Sequence, residues 1–206
     1  MRLKDKVALV TGAAQGIGEA IARKFAGEGA AVVIADLKDE QGKKVASDIE
    51  RAGGRAYFLH LDVTQEADWK QAVSAVIDRS GRLDILVNNA GISKRMPLEE
   101  FPVEVWDQMM AVNVRGVCLG MKTAIPHMKK QGGGCIINMS SIAGMIGHKT
   151  SSIAYIASKA AVNMMSKGVA VQFAKENIRV NTIHPCTVAT PLVEDLFRNP
   201  EMKKAR

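Results

Sequence analysis

Aromatic residues are scarce in this 206-residue chain, which has five phenylalanines, two tryptophans and two tyrosines. Proteins that bind single-stranded nucleic acid stack bases on aromatic side chains, so this composition argues against such a role. The formal net charge of +7 does not change this interpretation, because the lysines and arginines are spread along the chain and only residues 203–206 form a dense basic run. We therefore interpret the charge as a solvated surface and expect no nucleic-acid partner.

Cysteine is also rare, and long apolar runs are missing. Cys118, Cys135 and Cys186 have neither CxxC nor CxxH spacing, and the four histidines form no metal-ligand grouping. Scattered thiols in odd number indicate a reducing compartment and no disulfide framework, and we expect no metal. The first apolar run, residues 7–10, is too short for a signal-peptide core or a membrane span. These features predict a cytoplasmic protein with no membrane partner.

Short apolar runs alternate with helical patterns along the whole chain. Strands are predicted at residues 7–10, 31–35, 55–61, 83–87, 135–139 and 178–183. A helix is predicted after Gly18, ending near residues 27–29. Further helices are predicted at about 39–52, 64–80 (with Thr64 as N-cap) and 102–128, and a last one contains Tyr155 and ends at about residue 174. Strands that alternate with helices of this length form βαβ units. The sequence therefore predicts an α/β fold in one domain, residues 1–206, with a doubly wound parallel sheet of six strands (a Rossmann fold).

Polar clusters follow the strands, and ligands of open α/β sheets bind at the carboxyl ends of the strands. The first cluster, Gly12 to Gly18, joins a strand to a helix, where glycines allow a pyrophosphate to approach the backbone and the helix N-terminus. Asp36 ends the second strand, where a carboxylate accepts hydrogen bonds from ribose hydroxyls and repels a 2′-phosphate. Because Gln15 and Leu37 supply no cation for such a phosphate, the pattern favours NAD over NADP. The alternative for Asp36 is a turn or helix cap.

Tyr155 and Lys159 are four residues apart in a helical pattern, so both side chains lie on one face. A nearby cation favours the phenolate and lowers the pKa of a tyrosine toward the range in which it acts as a general acid and base. The alternative is a surface lysine beside a half-buried tyrosine, and the pair alone does not decide between these.

The other motifs of the chain favour the acid/base interpretation of this pair. The chain resembles the short-chain dehydrogenases/reductases through residues 11–18, 88–91, Asn113, Ser141 and 155–159, in the family's order and spacing. The resemblance implies that Tyr155 is the general acid/base, that Lys159 lowers the Tyr155 pKa and binds the nicotinamide ribose, and that Ser141 polarises the substrate oxygen. It implies that Asn113 interrupts a long helix and holds a water that relays protons toward Lys159. The cofactor-binding residues implied are Gly12, Gln15, Gly16, Ile17, Gly18, Asp36, Leu37, Asp62, Val63, Asn89, Ala90, Gly91, Tyr155, Lys159, Pro185, Val188 and Thr190. Asn88 is interpreted as structural.

Two features depart from the family pattern. Cys186 follows Pro185 where the family commonly has glycine, so a positive φ there would be strained and Cys186→Gly would keep or improve cofactor affinity. The pattern shows no seventh strand, and residues 186–206 are interpreted as the start of a lid over the substrate.

The predicted function is hydride transfer between NAD(H) and a secondary alcohol or ketone. Two alternatives stay open: a dinucleotide-binding protein with little turnover, and an NAD-dependent epimerase or dehydratase. Helical patterns at residues 105–128 and 160–171 are apolar on more than one face, which, with the resemblance, predicts a homodimer or homotetramer. The substrate is undetermined, with pocket candidates at Ser93, Lys94, Met145, His148, Ser152 and Thr187.

Overall fold

The computed structural model describes residues 1–147 and 151–193, which contain one parallel sheet. The strands are β1 Val7–Thr11, β2 Ala31–Asp36, β3 Arg55–His60, β4 Ile85–Asn88, β5 Gly134–Met139 and β6 Ile178–Ile183. The helices are α1 Gly16–Gly27, α2 Asp39–Arg51, α3 Glu66–Ser80, α4 Val103–Met110, α5 Gly116–Lys130 and α6 Ile153–Gln172. The six predicted strands and the α/β class are confirmed.

The strand order is β3–β2–β1–β4–β5–β6, with every neighbouring pair parallel. The order reverses between β1 and β4, because β1 pairs with β2 on one side and with β4 on the other. Such a reversal leaves a crevice at the carboxyl ends of the two central strands. The fold therefore places the loop after β1 and the loop after β4 next to each other.

Alternate residues of each strand supply two separate cores. Leu9 and Val33 face the core that contains Trp69 of α3 and residues of α5 and α6. Val10 and Ile34 face the other core, which α1 and α2 cover with small and branched side chains. All five residues of β1 are buried, as expected for a strand covered on both faces.

The predicted helix at 102–128 is the main correction to the element boundaries. It is divided into α4, a π-helical turn at Ala111–Arg115, and α5. The expected interruption at Asn113 is therefore present. The cause is the Asn113 side chain, which is fully buried and bonds to a neighbouring loop.

Two smaller expectations are also corrected. Thr64 is not the helix N-cap, because α3 begins at Glu66 and Gln65 is in the N-cap position; the backbone N–H and the hydroxyl of Thr64 instead donate to Asp62 Oδ1 (2.9 and 2.8 Å). Cys186 has no strained backbone: among residues 1–147 and 151–193, the non-glycine residues with positive φ are Asp5 and Asn177. Within the same ranges, no helix combines the length and apolar character required to cross a bilayer.

Candidate active site

The glycine loop after β1 forms a tight cradle at the reversal of strand order. Gly12 and Gly16 have φ of +62° and +60°, a conformation that side-chain-bearing residues rarely adopt. A Cβ at Gly12 would lie 2.8 Å from Ala90 Cα, and one at Gly18 would overlap the carbonyl oxygen of Gly12. The loop therefore needs glycine both for its backbone conformation and for its close approach to the chain after β4.

Asn89 and Thr11 hold these two loops together. The Asn89 Nδ2 donates to the carbonyl oxygens of Thr11 (2.9 Å) and Gly12 (3.1 Å). The Thr11 hydroxyl accepts hydrogen bonds from the backbone N–H groups of Asn89 and Ala90. Asn88, interpreted as structural, donates from its amide to Asn138 Oδ1 at 2.8 Å and so links β4 to β5.

Asp36 ends β2 with its carboxylate beside the glycine loop. Its Oδ2 accepts a hydrogen bond from Ala14 N and its Oδ1 accepts one from Lys38 N, both at 3.0 Å. The cap geometry considered for Asp36 is therefore present. Each carboxylate oxygen can accept further hydrogen bonds, so the cap does not exclude binding of ribose. Leu37, the next residue, is 57% exposed.

Asp62 and Val63 follow β3. The Asp62 carboxylate is engaged with Thr64, and the side chain of Val63 is buried in the core that contains Trp69. The carbonyl oxygen of Val63 accepts a hydrogen bond from Trp69 Nε1 at 2.9 Å. Contacts of these residues with an adenine therefore stay a prediction.

Asn113 connects the loop after β4 to helix α6. Its Oδ1 accepts from Ile92 N (2.9 Å), and its Nδ2 donates to Ile92 O (3.0 Å) and to Ser158 Oγ (3.1 Å). Gly91 lies between Asn113 and Lys159, since a Cβ there would be 3.3 Å from Asn113 Oδ1 and 3.4 Å from Lys159 Nζ. The π turn, Gly91 and Lys159 thus meet at one place.

Ser152 sets the start of α6. Its hydroxyl oxygen accepts a hydrogen bond from Tyr155 N at 3.4 Å, which is the usual geometry of a serine N-cap. The cap fixes Tyr155 in the first turn, where its hydroxyl lies close enough to the side chain of Ser141 for that side chain to lower the pKa of the phenol. Ser141 is buried at the end of β5, and its Oγ also accepts from Ala143 N at 3.2 Å. The structure therefore brings together the two hydroxyls predicted to contact a substrate oxygen.

Lys159 lies one turn further along α6. Its Nζ donates to the carbonyl oxygen of Met139 at 2.8 Å, and it lies 5.7 Å from the centroid of the Tyr155 ring. Burial lowers the pKa of Lys159 to about 8, because the charged form loses hydration. The ammonium form still dominates at pH 7.

The pKa of the Tyr155 phenol differs in direction from the expectation. Burial raises this pKa, and it outweighs the opposing effects of the Ser141 side chain and of the positive charge on Arg95. Lys159 does not supply the expected lowering here, because its ammonium is directed to Met139 rather than to the phenolic oxygen. Arg95 instead is the cation whose charge favours the phenolate.

The segment after β6 returns across the glycine loop. The carbonyl oxygen of Pro185 accepts from Ile142 N at 3.1 Å, and Val188 is partly exposed. A Cβ at Gly16 would lie 3.5 Å from the side chain of Thr190, so Thr190 lies against the glycine loop. Of the pocket candidates, His148 lies outside the described residues, as does the part of the expected lid from residue 194 onward.

Sequence reasoning missed four residues of this site: Thr11, Lys38, Arg95 and Ser158. Thr11 opens the glycine motif, and Ser158 lies three residues after Tyr155 on the same helix face, so spacing could have indicated both. Ser158 accepts from Asn113 and donates to Tyr155 O at 2.8 Å. Nothing in the local pattern marks Lys38 or Arg95. In the part of the chain that the structure describes, no group of three or more metal-ligating side chains is assembled.

Known proteins are similar to this chain in sequence and fold. A family model described as short chain dehydrogenase matches residues 6–201. Cyclopentanol dehydrogenase from Comamonas testosteroni is 45% identical over 204 residues, which cover 99% of this chain and 81% of that protein. Trans-4-hydroxycyclohexanecarboxylate dehydrogenase from Sinomonas cyclohexanicum is 44% identical over 203 residues, covering 96% of this chain and 78% of that protein.

A solved structure is similar to this chain in fold as well as in sequence. Gluconate 5-dehydrogenase from Burkholderia cenocepacia J2315, in complex with NADP and tartrate, aligns with a TM-score of 0.93 and 35% identity, over 98% of this chain and 78% of that one. The chain belongs to the short chain dehydrogenase family. It is an oxidoreductase that acts on CH–OH groups with a nicotinamide dinucleotide, and the resemblance seen in the sequence is confirmed.

Proposed function

We propose that this dehydrogenase uses NAD(H) to interconvert an alicyclic secondary alcohol and its ketone, with Tyr155 as general acid and base. The observation that carries the proposal is the position of the Ser141 side chain, buried after β5 and close enough to Tyr155 to lower the pKa of its phenol, with Lys159 one helical turn away. Two relatives whose names specify a cyclopentanol and a hydroxycyclohexanecarboxylate support an alicyclic substrate.

The residues present fit a dinucleotide. Gly12, Gly16 and Gly18 line a cradle that side chains would fill, and the N-terminus of α1 opens into it, which favours a pyrophosphate. Asp36 would accept hydrogen bonds from the adenosine ribose, and its charge favours NAD over NADP. When bound, the nicotinamide exchanges a hydride with the substrate carbon.

Proton transfer falls to the side chains of this chain. In the reduction direction, the Tyr155 hydroxyl gives its proton to the substrate oxygen, and in the oxidation direction the phenolate takes it back. Burial keeps the phenol protonated and ready to donate in the reduction direction, and the Arg95 charge and the Ser141 side chain partly offset the rise in its pKa. Ser141 would donate to the substrate oxygen as negative charge develops there.

Lys159 and Asn113 would support this step from behind Tyr155. The ammonium, held at 2.8 Å from Met139 O, would bind the nicotinamide ribose. The side chain of Asn113 is committed to Ile92 and Ser158, so it would act by holding the π turn in place beside a water that passes protons toward Lys159. Residues 186–193 would begin the cover over this site.

Assembly and location complete the proposal. Met164 and Val171 of α6 are 65% and 81% exposed, and Val103 at the start of α4 is 68% exposed. Apolar side chains at these positions support a homodimer or homotetramer formed through α4, α5 and α6, to be checked by light scattering. The three free thiols support a reducing, cytoplasmic location.

The test measures NADH formation with cyclopentanol, cyclohexanol, a hydroxysteroid and gluconate as substrates. We expect turnover with the alicyclic alcohols, and a decrease of at least about 100-fold in kcat for Tyr155→Phe with calorimetric NADH binding retained. Tyr57→Phe is the matched control, because Tyr57 is the other tyrosine and lies on β3. Full activity of Tyr155→Phe would exclude the proposed acid/base, and turnover of gluconate alone would exclude the substrate class.

A further inference from the structure

His184 links the end of β6 to the end of β5 and to α6. Its ring Nδ1 lies 3.2 Å from the carbonyl oxygen of Ser141, and its Nε2 lies 2.9 Å from the hydroxyl oxygen of Thr182. The Thr182 hydroxyl in turn lies 3.5 Å from Asn163 Oδ1 on α6, the helix that carries Tyr155. A chain of polar contacts therefore runs from Ser141 through the imidazole to the helix of the proposed acid/base.

The partners of the His184 ring decide which nitrogen carries a hydrogen. A carbonyl oxygen can only accept a hydrogen bond, so Nδ1 must donate to Ser141. The hydroxyl of Thr182 can both donate and accept, so it suits Nε2 whether the ring is neutral or charged. The bond to Ser141 is therefore present in both forms of the imidazole, and the ring acts as a fixed donor rather than as a proton carrier.

Ser141 is consequently held from two sides. Its carbonyl oxygen also accepts from Gly144 N at 2.9 Å, and its Oγ accepts from Ala143 N at 3.2 Å. These two donors belong to the turn that follows Ser141, whereas His184 ties the same carbonyl group to a distant strand, β6. Because Oγ accepts from Ala143, its own hydrogen is available to a substrate oxygen, and the backbone of Ser141 sets the direction of that hydrogen.

We propose that His184 is a positioning residue: by holding the carbonyl oxygen of Ser141, it aims the Ser141 hydroxyl at the substrate oxygen. This inference rests on the proposed function, in which Ser141 donates to that oxygen as negative charge develops. A displacement of about 1 Å from such a geometry can cost on the order of 100-fold in rate. Loss of the His184 bond should therefore lower kcat, because Ser141 stays in its own turn but loses its fixed direction.

Two other roles for His184 predict different results. If the ring only stabilises the fold, its replacement lowers the free energy of unfolding and leaves the kcat of the folded enzyme unchanged. If the ring instead holds the loop after Pro185 against the cofactor, its replacement weakens NADH binding and acts independently of Ser141. The proposed role lowers kcat, leaves NADH affinity unchanged, and disappears when the Ser141 hydroxyl is absent.

The experiment uses the different lengths of asparagine and glutamine. His184→Asn keeps an N–H donor close to the place of Nδ1, so it can retain the bond to Ser141, whereas His184→Gln carries its amide close to the place of Nε2 and can retain only the contact with Thr182. These two variants, His184→Ala, Ser141→Ala and the double alanine variant are compared with the wild type. The measurements are kcat and KM for cyclopentanol, calorimetric NADH affinity, and urea unfolding as a check of the fold.

We expect kcat to fall roughly tenfold in His184→Ala and in His184→Gln, and to stay within about threefold of the wild-type value in His184→Asn. NADH affinity should stay within about twofold in all three variants, because the proposed role does not involve the cofactor. In the Ser141→Ala background, His184→Ala should change kcat by less than about twofold, since the hydroxyl that the ring aims is gone.

Equal kcat values in the three His184 variants, or a full effect of His184→Ala in the Ser141→Ala background, overturns the positioning role and leaves the proposed function standing. Weakened NADH binding with unchanged kcat has the same consequence. Full kcat in Ser141→Ala contradicts the role of Ser141 in the proposed function, and the role of His184 with it.

Discussion

The Lys159 ammonium lies 5.7 Å from the centroid of the Tyr155 ring and donates a hydrogen bond to the carbonyl oxygen of Met139. The cation therefore contacts the face of the ring and not the phenolic oxygen. Its position also leaves it almost without water, because Lys159 is 5% exposed. A buried ammonium with one neutral acceptor costs folding free energy, and this cost depends on pH.

Lys159→Met should change how stability depends on pH. Burial lowers the pKa of Lys159 to about 8 in the folded chain, against 10.5 for the ordinary side chain. Between these values the unfolded chain holds a proton that the folded chain has released, so the free energy of unfolding rises with pH. Over this whole pH range, the Lys159 shift changes the free energy of unfolding by about 3 kcal/mol. Urea unfolding from pH 7 to pH 10 should show this rise in the wild type and not in the variant, and parallel curves would contradict it.

Asn113→Ala should destabilise the fold as well as the site. The substitution removes three hydrogen bonds and leaves the backbone N–H and C=O of Ile92 without those partners, which costs about 2–4 kcal/mol. Ser158→Ala removes one of the three bonds, so a double-mutant cycle should give a coupling of about 1 kcal/mol between the two residues. Purely additive effects in denaturant unfolding would show that Ser158 does not support Asn113.

Gly18→Ala should abolish tight cofactor binding. A Cβ there overlaps the Gly12 carbonyl oxygen and crowds Asn89 Nδ2, so the loop must open at the point where β1 and β4 meet. Gly168→Ala in α6 is the matched control, because a Cβ at Gly168 meets nothing within 4 Å. The control should stabilise the chain by about 0.5–1 kcal/mol in thermal unfolding and leave NADH affinity unchanged. If Gly18→Ala keeps an NADH affinity within about threefold of the wild-type value, the glycine loop does not need glycine at this position to bind the cofactor.

Cys186→Gly should leave NADH affinity within about twofold of the wild-type value. The expected gain depended on a positive φ at residue 186, and the backbone there has none. Calorimetric titration with NADH measures the effect. An increase in affinity above about fivefold would show instead that the exposed thiol obstructs the nicotinamide.

The periodicity of apolar residues and the spacing of the motifs were sufficient to predict the strands, the helices and the parallel sheet. β6 has the predicted bounds, Ile178–Ile183, because its strand residues alternate between the core and the opposite face. Ser141 and the glycine loop lie at the same edge of the sheet because they follow parallel strands, and this follows from the βαβ pattern alone. The position of Asn113 on a π turn also agrees with the interruption implied by the family resemblance.

The remaining features depend on contacts between distant residues. Lys38 reaches Gln15 across a gap of 23 residues, and no local pattern encodes that bond. The raised pKa of Tyr155 and the lowered pKa of Lys159 follow from burial, which only the assembled fold determines. Thr64 shows the same limit on a smaller scale, since its N–H and hydroxyl turn back to Asp62 and α3 begins two residues later, at Glu66.

The π turn at Ala111–Arg115 also constrains the length of the chain. A π turn holds one more residue than an α turn, so the side chains of α4 and α5 are out of phase by about 100° around a common axis. Deleting one residue of the turn other than Asn113 would restore a regular helix and rotate α4 relative to α5 by that angle. In an alignment, such a deletion would look harmless, because the helix would continue and its apolar residues would persist. It would nevertheless separate Asn113 from Ile92 and Ser158, so the spacing between α4 and α5 is as constrained as the identity of the residues themselves.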